Sequence, residues 1–222
     1  MVEELRTEYH RHLGEIDDGV SRMLVLAEEA IAAASTALLA ADDEAAETVA
    51  ARRAEIARLH TSAEEQVVNQ LVRQAPVASE MRFLVAVLRI VPEVELSAAL
   101  AADIGRRGGM HIGNELPARV RGLVSELSAR VQEVWRRVAD AYHDRDQAVR
   151  ARLEAEDEDI DDLYASLVAE LASGTLRAPV LVEMALVARF LKRLADHAVE
   201  ISRWVESLTV AQHLPLGGAT PA

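Results

Sequence analysis

Arg189-Phe-Leu-Lys-Arg-Leu-Ala-Asp196-His197-Ala-Val-Glu200-Ile-Ser-Arg-Trp204 carries the pattern of a single long helix. Phe190, Leu194, Ala198, Ile201 and Val205 recur at steps of three and four, the period of an amphipathic helix and not of a strand. Beside that stripe, Lys192, Asp196 and Glu200 are spaced four apart and form one polar row. Such a row has three readings: an i,i+4 salt-bridged face in solvent, a surface that touches a partner, or a set of ligands. In the solvated reading each pair contributes a few tenths of a kcal/mol.

Outward from this helix the same pattern repeats. Half of the 222 residues are apolar but only 3% are aromatic, with few Gly and Pro, which suits long helices packed through small side chains. Helices are expected over 3–40, from Asp42-Asp43 to about Gln74, and from about Val77 to Arg107. Pro92 is expected to kink the third of these. Gly108-Gly109 ends that run, and a loop follows to Pro117. A fourth helix is expected over 117–142, a fifth capped by Asp144 or Asp146 and ending near Gly174, and a sixth opened by Pro179. Asp42-Asp43 answers to Asp144/Asp146, Glu55-Ile56 to Asp159-Ile160, and Pro76-Val77 to Pro179-Val180, all at an offset of about 103. The expected architecture is therefore all-α: two tandem three-helix bundles, at 3–108 and 115–209, with a disordered tail over 210–222.

Composition also excludes function classes. The formal charge is 24 − 37 = −13 with no basic patch, which argues against nucleic acid as a partner. With no cysteine, thiolate nucleophiles, thiolate metal sites and disulfides are ruled out. The N-terminus lacks the layout of a secretory signal and no uncharged apolar window of about 18 residues occurs, so a cytoplasmic protein without membrane insertion is expected. No nucleophile–base pair, Gly-rich phosphate loop or nucleotide motif is legible, so an enzyme is not expected. His10 and His12 point to different helix faces and form no metal pair.

Four stretches carry a family resemblance. Gln74-Ala-Pro-Val-Ala-Ser-Glu-Met-Arg82, Leu194-Ala-Asp196-His197-Ala-Val-Glu200-Ile, Asp159-Ile-Asp161-Asp-Leu-Tyr and the Arg6–His10 start resemble, in that order, motifs of the PhoU family, the last those of its actinobacterial branch. The resemblance runs from about residue 5 to 208. It implies a cytoplasmic, non-enzymatic, homodimeric regulator of phosphate uptake and phosphate-starvation signalling, which links a phosphate ABC transporter ATPase to a sensor histidine kinase. Such a protein would be peripheral at the inner face of the membrane through its partner.

The resemblance further implies clusters of iron or zinc held by Glu/Asp-x-x-x-Asp motifs on the third helix of each repeat. Here the frames read Glu95-Leu-Ser-Ala-Ala99, with Asp103 one turn on, and Lys192-Arg-Leu-Ala-Asp196, so each has lost one acid. A Lys about 5 Å from a divalent ion is repelled by roughly 6 kcal/mol at an effective dielectric near 20. Asp161 keeps the family's place on the middle helix of repeat 2, while its repeat 1 counterpart is Ala57. The metal candidates are thus Asp161, Asp196, Glu200, Glu95 and Asp103, and the partner-contact candidates are Arg82, Arg189, Lys192 and His197. Two alternatives remain: a metal-binding bundle of storage or oxidase type, and a purely structural dimeric bundle. Against the first, that class uses Glu-x-x-His, and the nearest stretch here is Asp140-Ala-Tyr-His143.

Overall fold

A computed structural model describes residues 2–73, 76–174 and 176–210. It contains α1 (Val2–Ala40), α2 (Asp43–Arg73), α3 (Ala78–Gly108), α4 (Ala118–Asp144), α5 (Val149–Ala172) and α6 (Ala178–Val210). The described residues include no strand. The expected tail from 211 onward lies outside them. Six long helices follow directly from six apolar stripes at helical spacing. The loop expected between the repeats holds a short 3-10 helix, Ile112–Glu115, which the sequence did not announce.

α1, α2 and α3 pack on one another, as do α4, α5 and α6; across the repeats α1 meets α4 and α3 meets α6. Four helices therefore form the middle, with α2 and α5 on the outside. The two bundles share one continuous hydrophobic core. α1 shows why. Its 18-residue apolar window, of mean hydropathy 1.7, is long and apolar enough to cross a membrane. Yet Val20, Met23, Leu24, Leu26, Ala27 and Ala30 are all fully buried, because this helix faces α2, α3 and α4 at once. A helix buried on most sides is apolar on most sides. In α4 Val120, Val124, Leu127, Val131 and Val134, at steps of three and four, are all buried, joined by Trp135 and Tyr142.

Two helix starts contrast. Asp42 Oδ1 accepts the Ala45 N–H at 3.0 Å and caps α2 as its residue type dictates. Neither Asp144 nor Asp146 caps α5 in that way. Asp144 is the last residue of α4, and the residue before α5 is Ala148, which makes no side-chain cap. Asp146 instead accepts the Ala148 N–H at 2.8 Å, two residues on, a local Asx turn that precedes the helix.

The joint between repeats depends on close backbone approach. A Cβ on Gly108 would lie 2.3 Å from the Ala37 carbonyl oxygen, and one on Gly113 would lie 2.1 Å from that of Leu38. Only glycine lets α3 and the 3-10 helix lie against the end of α1 this closely. Arg121 of α4 then donates to the carbonyls of Leu39, at 2.6 Å, and Gly113, so repeat 2 satisfies one carbonyl that the end of α1 leaves open and ties the 3-10 helix to it. Nearer the middle of α1, Asp17 accepts from Tyr142 Oη at 2.6 Å and pairs with Arg145. Burial, then the Asp17 carboxylate, pushes the Tyr142 hydroxyl well above the usual phenol range.

Candidate functional site

α3 and α6 run antiparallel, since Arg107 pairs with Glu183 at 2.7 Å, Ser97 meets His197, and Arg89 lies 5.8 Å over the Trp204 ring. These are the third helices of the two repeats, and His197 of repeat 2 meets Glu93 and Ser97 of repeat 1 along the seam between them. At its centre His197 is 8% exposed, with Nδ1 2.8 Å from Ser97 Oγ and Nε2 3.7 Å from Glu93 Oε2. Ser97 has one hydroxyl hydrogen and two neighbours that can take it, His197 Nδ1 and the Glu93 carbonyl at 2.7 Å. Burial holds the imidazole pKa below its ordinary value, with the Glu93 carboxylate opposing and Arg193 assisting. A Ser–His pair at this distance is the type that hydrolases use, but Ser97 is fully buried under the helix pair and its hydroxyl faces backbone. It is a tie between two helices.

One turn from His197 the row divides. Lys192 Nζ lies 2.7 Å from Asp157 Oδ1, 2.7 Å from Asp161 Oδ1 and 3.1 Å from Asp196 Oδ1. Its side chain is 14% exposed. Burial works against the charged ammonium, but hydrogen bonds to Asp157, Asp161 and Asp196 outweigh it and raise the Lys192 pKa above the ordinary lysine value. The expected exposed row is thus a cage that joins α5 to α6. Glu200 is not part of it, and pairs with Arg203 at 2.8 Å.

In repeat 1 the candidates are dispersed. Glu95 Oε2 lies 2.5 Å from His60 Nδ1 on α2, and Asp103 pairs with Arg106 in its own last turn. The α3 carboxylate that faces α6 is Glu93, which the sequence frame beginning at Glu95 passed over. Two residues turn a helix by about 200°, so the two side chains leave α3 on opposite sides. The repeat offset of about 103 carries Asp196 onto Glu93 and would have found it. Asp157, also missed, lies one turn before Asp161 on the same face of α5.

Glu93, Asp157, Arg193, Asp196, His197 and Glu200 line an open cleft of about 470 Å³. Arg82, Arg189 and Arg193 are exposed, and among the described residues they make no hydrogen bond or ion pair. No group of three His, Asp or Glu side chains among the described residues is disposed to hold a metal ion. Where three carboxylates do converge, the point of convergence carries an ammonium, so the residues present do not fit iron or zinc there.

Known proteins resemble this chain in sequence and in fold. The PhoU domain matches residues 20–108 and 124–205. Phosphate-specific transport system accessory protein PhoU homolog 2 of Mycobacterium tuberculosis is 34% identical over 206 residues, which cover 90% of this chain and 96% of the relative. Homolog 1 of Mycobacterium leprae is 33% identical over 207 residues, covering 90% and 92%. The crystal structure of PhoU from Pseudomonas aeruginosa superposes with a TM-score of 0.83 at 23% identity, covering 90% of this chain and 98% of that one. The phosphate transport system regulatory protein PhoU from Streptococcus pneumoniae gives 0.79 at 18% identity, covering 94% and 100%. Those two likenesses establish the fold.

Proposed function

Because the chain belongs to the PhoU family, we propose that it is a regulatory accessory protein of phosphate uptake, acting by protein–protein contact. The observation that carries this reading is identity of about one third with phosphate-specific transport accessory proteins over nine-tenths of the chain. In its finer form the reading is an adaptor that couples the ATPase subunit of a phosphate ABC transporter to a sensor histidine kinase. It works as a homodimer, recruited from the cytoplasm to the inner face of the membrane.

The α3–α6 face supports contact over catalysis. Along α6, Val182, Leu186, Arg189, Arg193, Asp196 and Glu200 follow one another at steps of three and four on the outer side. On α3, Arg82, Val85 and Leu96 are likewise exposed. In the structure most acids of this face hold a cation of their own, and the groups left without an ion pair include Arg82, Arg189 and Arg193. The complement of unpaired guanidinium groups among apolar side chains is an acidic surface with apolar anchors.

The test is affinity capture of the tagged chain from its own cells at high and low phosphate. Recovery of a transporter ATPase or a sensor kinase that changes with phosphate is the expected result. Recovery of neither overturns the adaptor. With Arg82→Glu and Arg189→Glu combined, capture is expected to fall at unchanged helicity, and undiminished capture would move the contact elsewhere.

A further inference from the structure

The geometry points to Lys192 as a built-in counter-ion: its ammonium holds the place where three carboxylates of α5 and α6 converge, so that repeat 2 closes without a divalent cation. This stands on the side-chain arrangement alone and does not depend on the regulatory reading.

Asp157 and Asp161 lie one turn apart on α5, and Lys192 and Asp196 one turn apart on α6, so each helix contributes two adjacent positions of one rung. Lys192 Nζ donates to Asp157 Oδ1 at 2.7 Å, and its charge is shared with Asp161 Oδ1 at 2.7 Å and Asp196 Oδ1 at 3.1 Å. Its alkyl stem is largely covered, which fixes the charge in position. A divalent ion bound by the same oxygens would need them at roughly 2.0–2.6 Å, inside the space that Nζ fills, and would meet a like charge there. The ammonium delivers one positive charge with no dependence on metal supply, and it cannot dissociate.

Repeat 1 shows that the cage is a property of repeat 2 and not of the fold. The repeat offset carries Lys192 onto Arg89, which lies over Trp204, and Asp157 onto Ala54. α2 and α3 are joined without a comparable cluster among the described residues.

The experiment is metal analysis and thermal unfolding of the full chain, with zinc and manganese as probes and EDTA as control. Wild type is expected to retain no zinc or manganese after dialysis and to show the same Tm with either ion as with EDTA. Lys192→Glu replaces the ammonium by a fourth carboxylate. Its Tm in EDTA should fall, and zinc or manganese should restore it with about one ion bound per chain. Adding Asp161→Asn to that variant should abolish the rescue. Lys192→Met keeps the stem without the charge and should also lower Tm. Retention of a metal by wild type that is lost on Asp157→Asn and Asp161→Asn would overturn the proposal. So would a folded Lys192→Glu that binds no ion, or a Lys192→Met as stable as wild type.

Discussion

Between α5 and α6 the outer contact is ionic. Lys192 gathers Asp157 and Asp161, Arg150 reaches Glu206 at 3.2 Å, and Arg203 comes within 4.0 Å of Glu154. Between α2 and α3 it is mostly a matter of small apolar side chains. Val49 packs on Gly105, and Ala46, Ala50, Ala54 and Ala102 line a shallow groove, with His60–Glu95 as the polar link. The same three-helix plan is thus closed once by charge and once by close packing. A seam of small residues depends on shape, which changes little with conditions. A seam built on an ammonium among carboxylates depends on charge balance, and removal of one member leaves the others uncompensated.

Five measurements test this contrast. Trp135 is fully buried and donates from Nε1 to the Leu194 carbonyl at 2.9 Å, which ties α4 to α6. The repeat offset carries it onto Ala32, so repeat 1 has no equivalent anchor. Trp135→Ala is expected to cost about 3–5 kcal/mol in denaturant unfolding. A cost below about 1 kcal/mol would show that the aromatic anchor does not distinguish the repeats.

Lys192→Ala should cost about 1–2 kcal/mol, less than a deeply buried pair because its partners Asp161 and Asp196 are half exposed. Glu95→Gln, the polar link of the other seam, should cost under about 1 kcal/mol. Equal costs would erase the distinction between the seams.

Gly122 sits inside α4 with nothing within 4 Å of where a Cβ would be, so Gly122→Ala should stabilise by about 0.5–1 kcal/mol. Destabilisation would mean that a neighbour packs against α4 at this position.

The smallest effect concerns pH. Burial holds the folded-state pKa of His197 below its ordinary value of 6.5. As pH falls through that value the unfolded chain takes up the proton first, so this group's contribution is fully present above pH 6.5 and is lost as pH falls toward the folded pKa. Thermal unfolding between pH 7.5 and 5 should show Tm falling with pH, and His197→Gln should flatten the slope. An unchanged slope would assign the acid sensitivity to other groups.

Helix number, helix type and the duplication were legible because they rest on local periodicity: Val120, Val124, Leu127 and Val131 announce an inward face whatever they pack against. The Asp42 cap was legible for the same reason, and Asp146 misled because an Asx turn and an N-cap use the same side chain two residues apart. Within the candidate site the sequence supplied Lys192, Asp161 and Asp196 but not their meeting, since α5 and α6 must first be docked to place Nζ among the carboxylates. It put Glu95 among the metal candidates and passed over Glu93, because the frame was aligned on the motif and not on the repeat offset that carries Asp196 onto Glu93. Local pattern sets which faces are apolar, where the chain repeats and which charges are available. Which charges neutralise one another, and which arginines are left exposed, follows from the docking of the helices, because pairing depends on distance across helices that lie far apart along the chain.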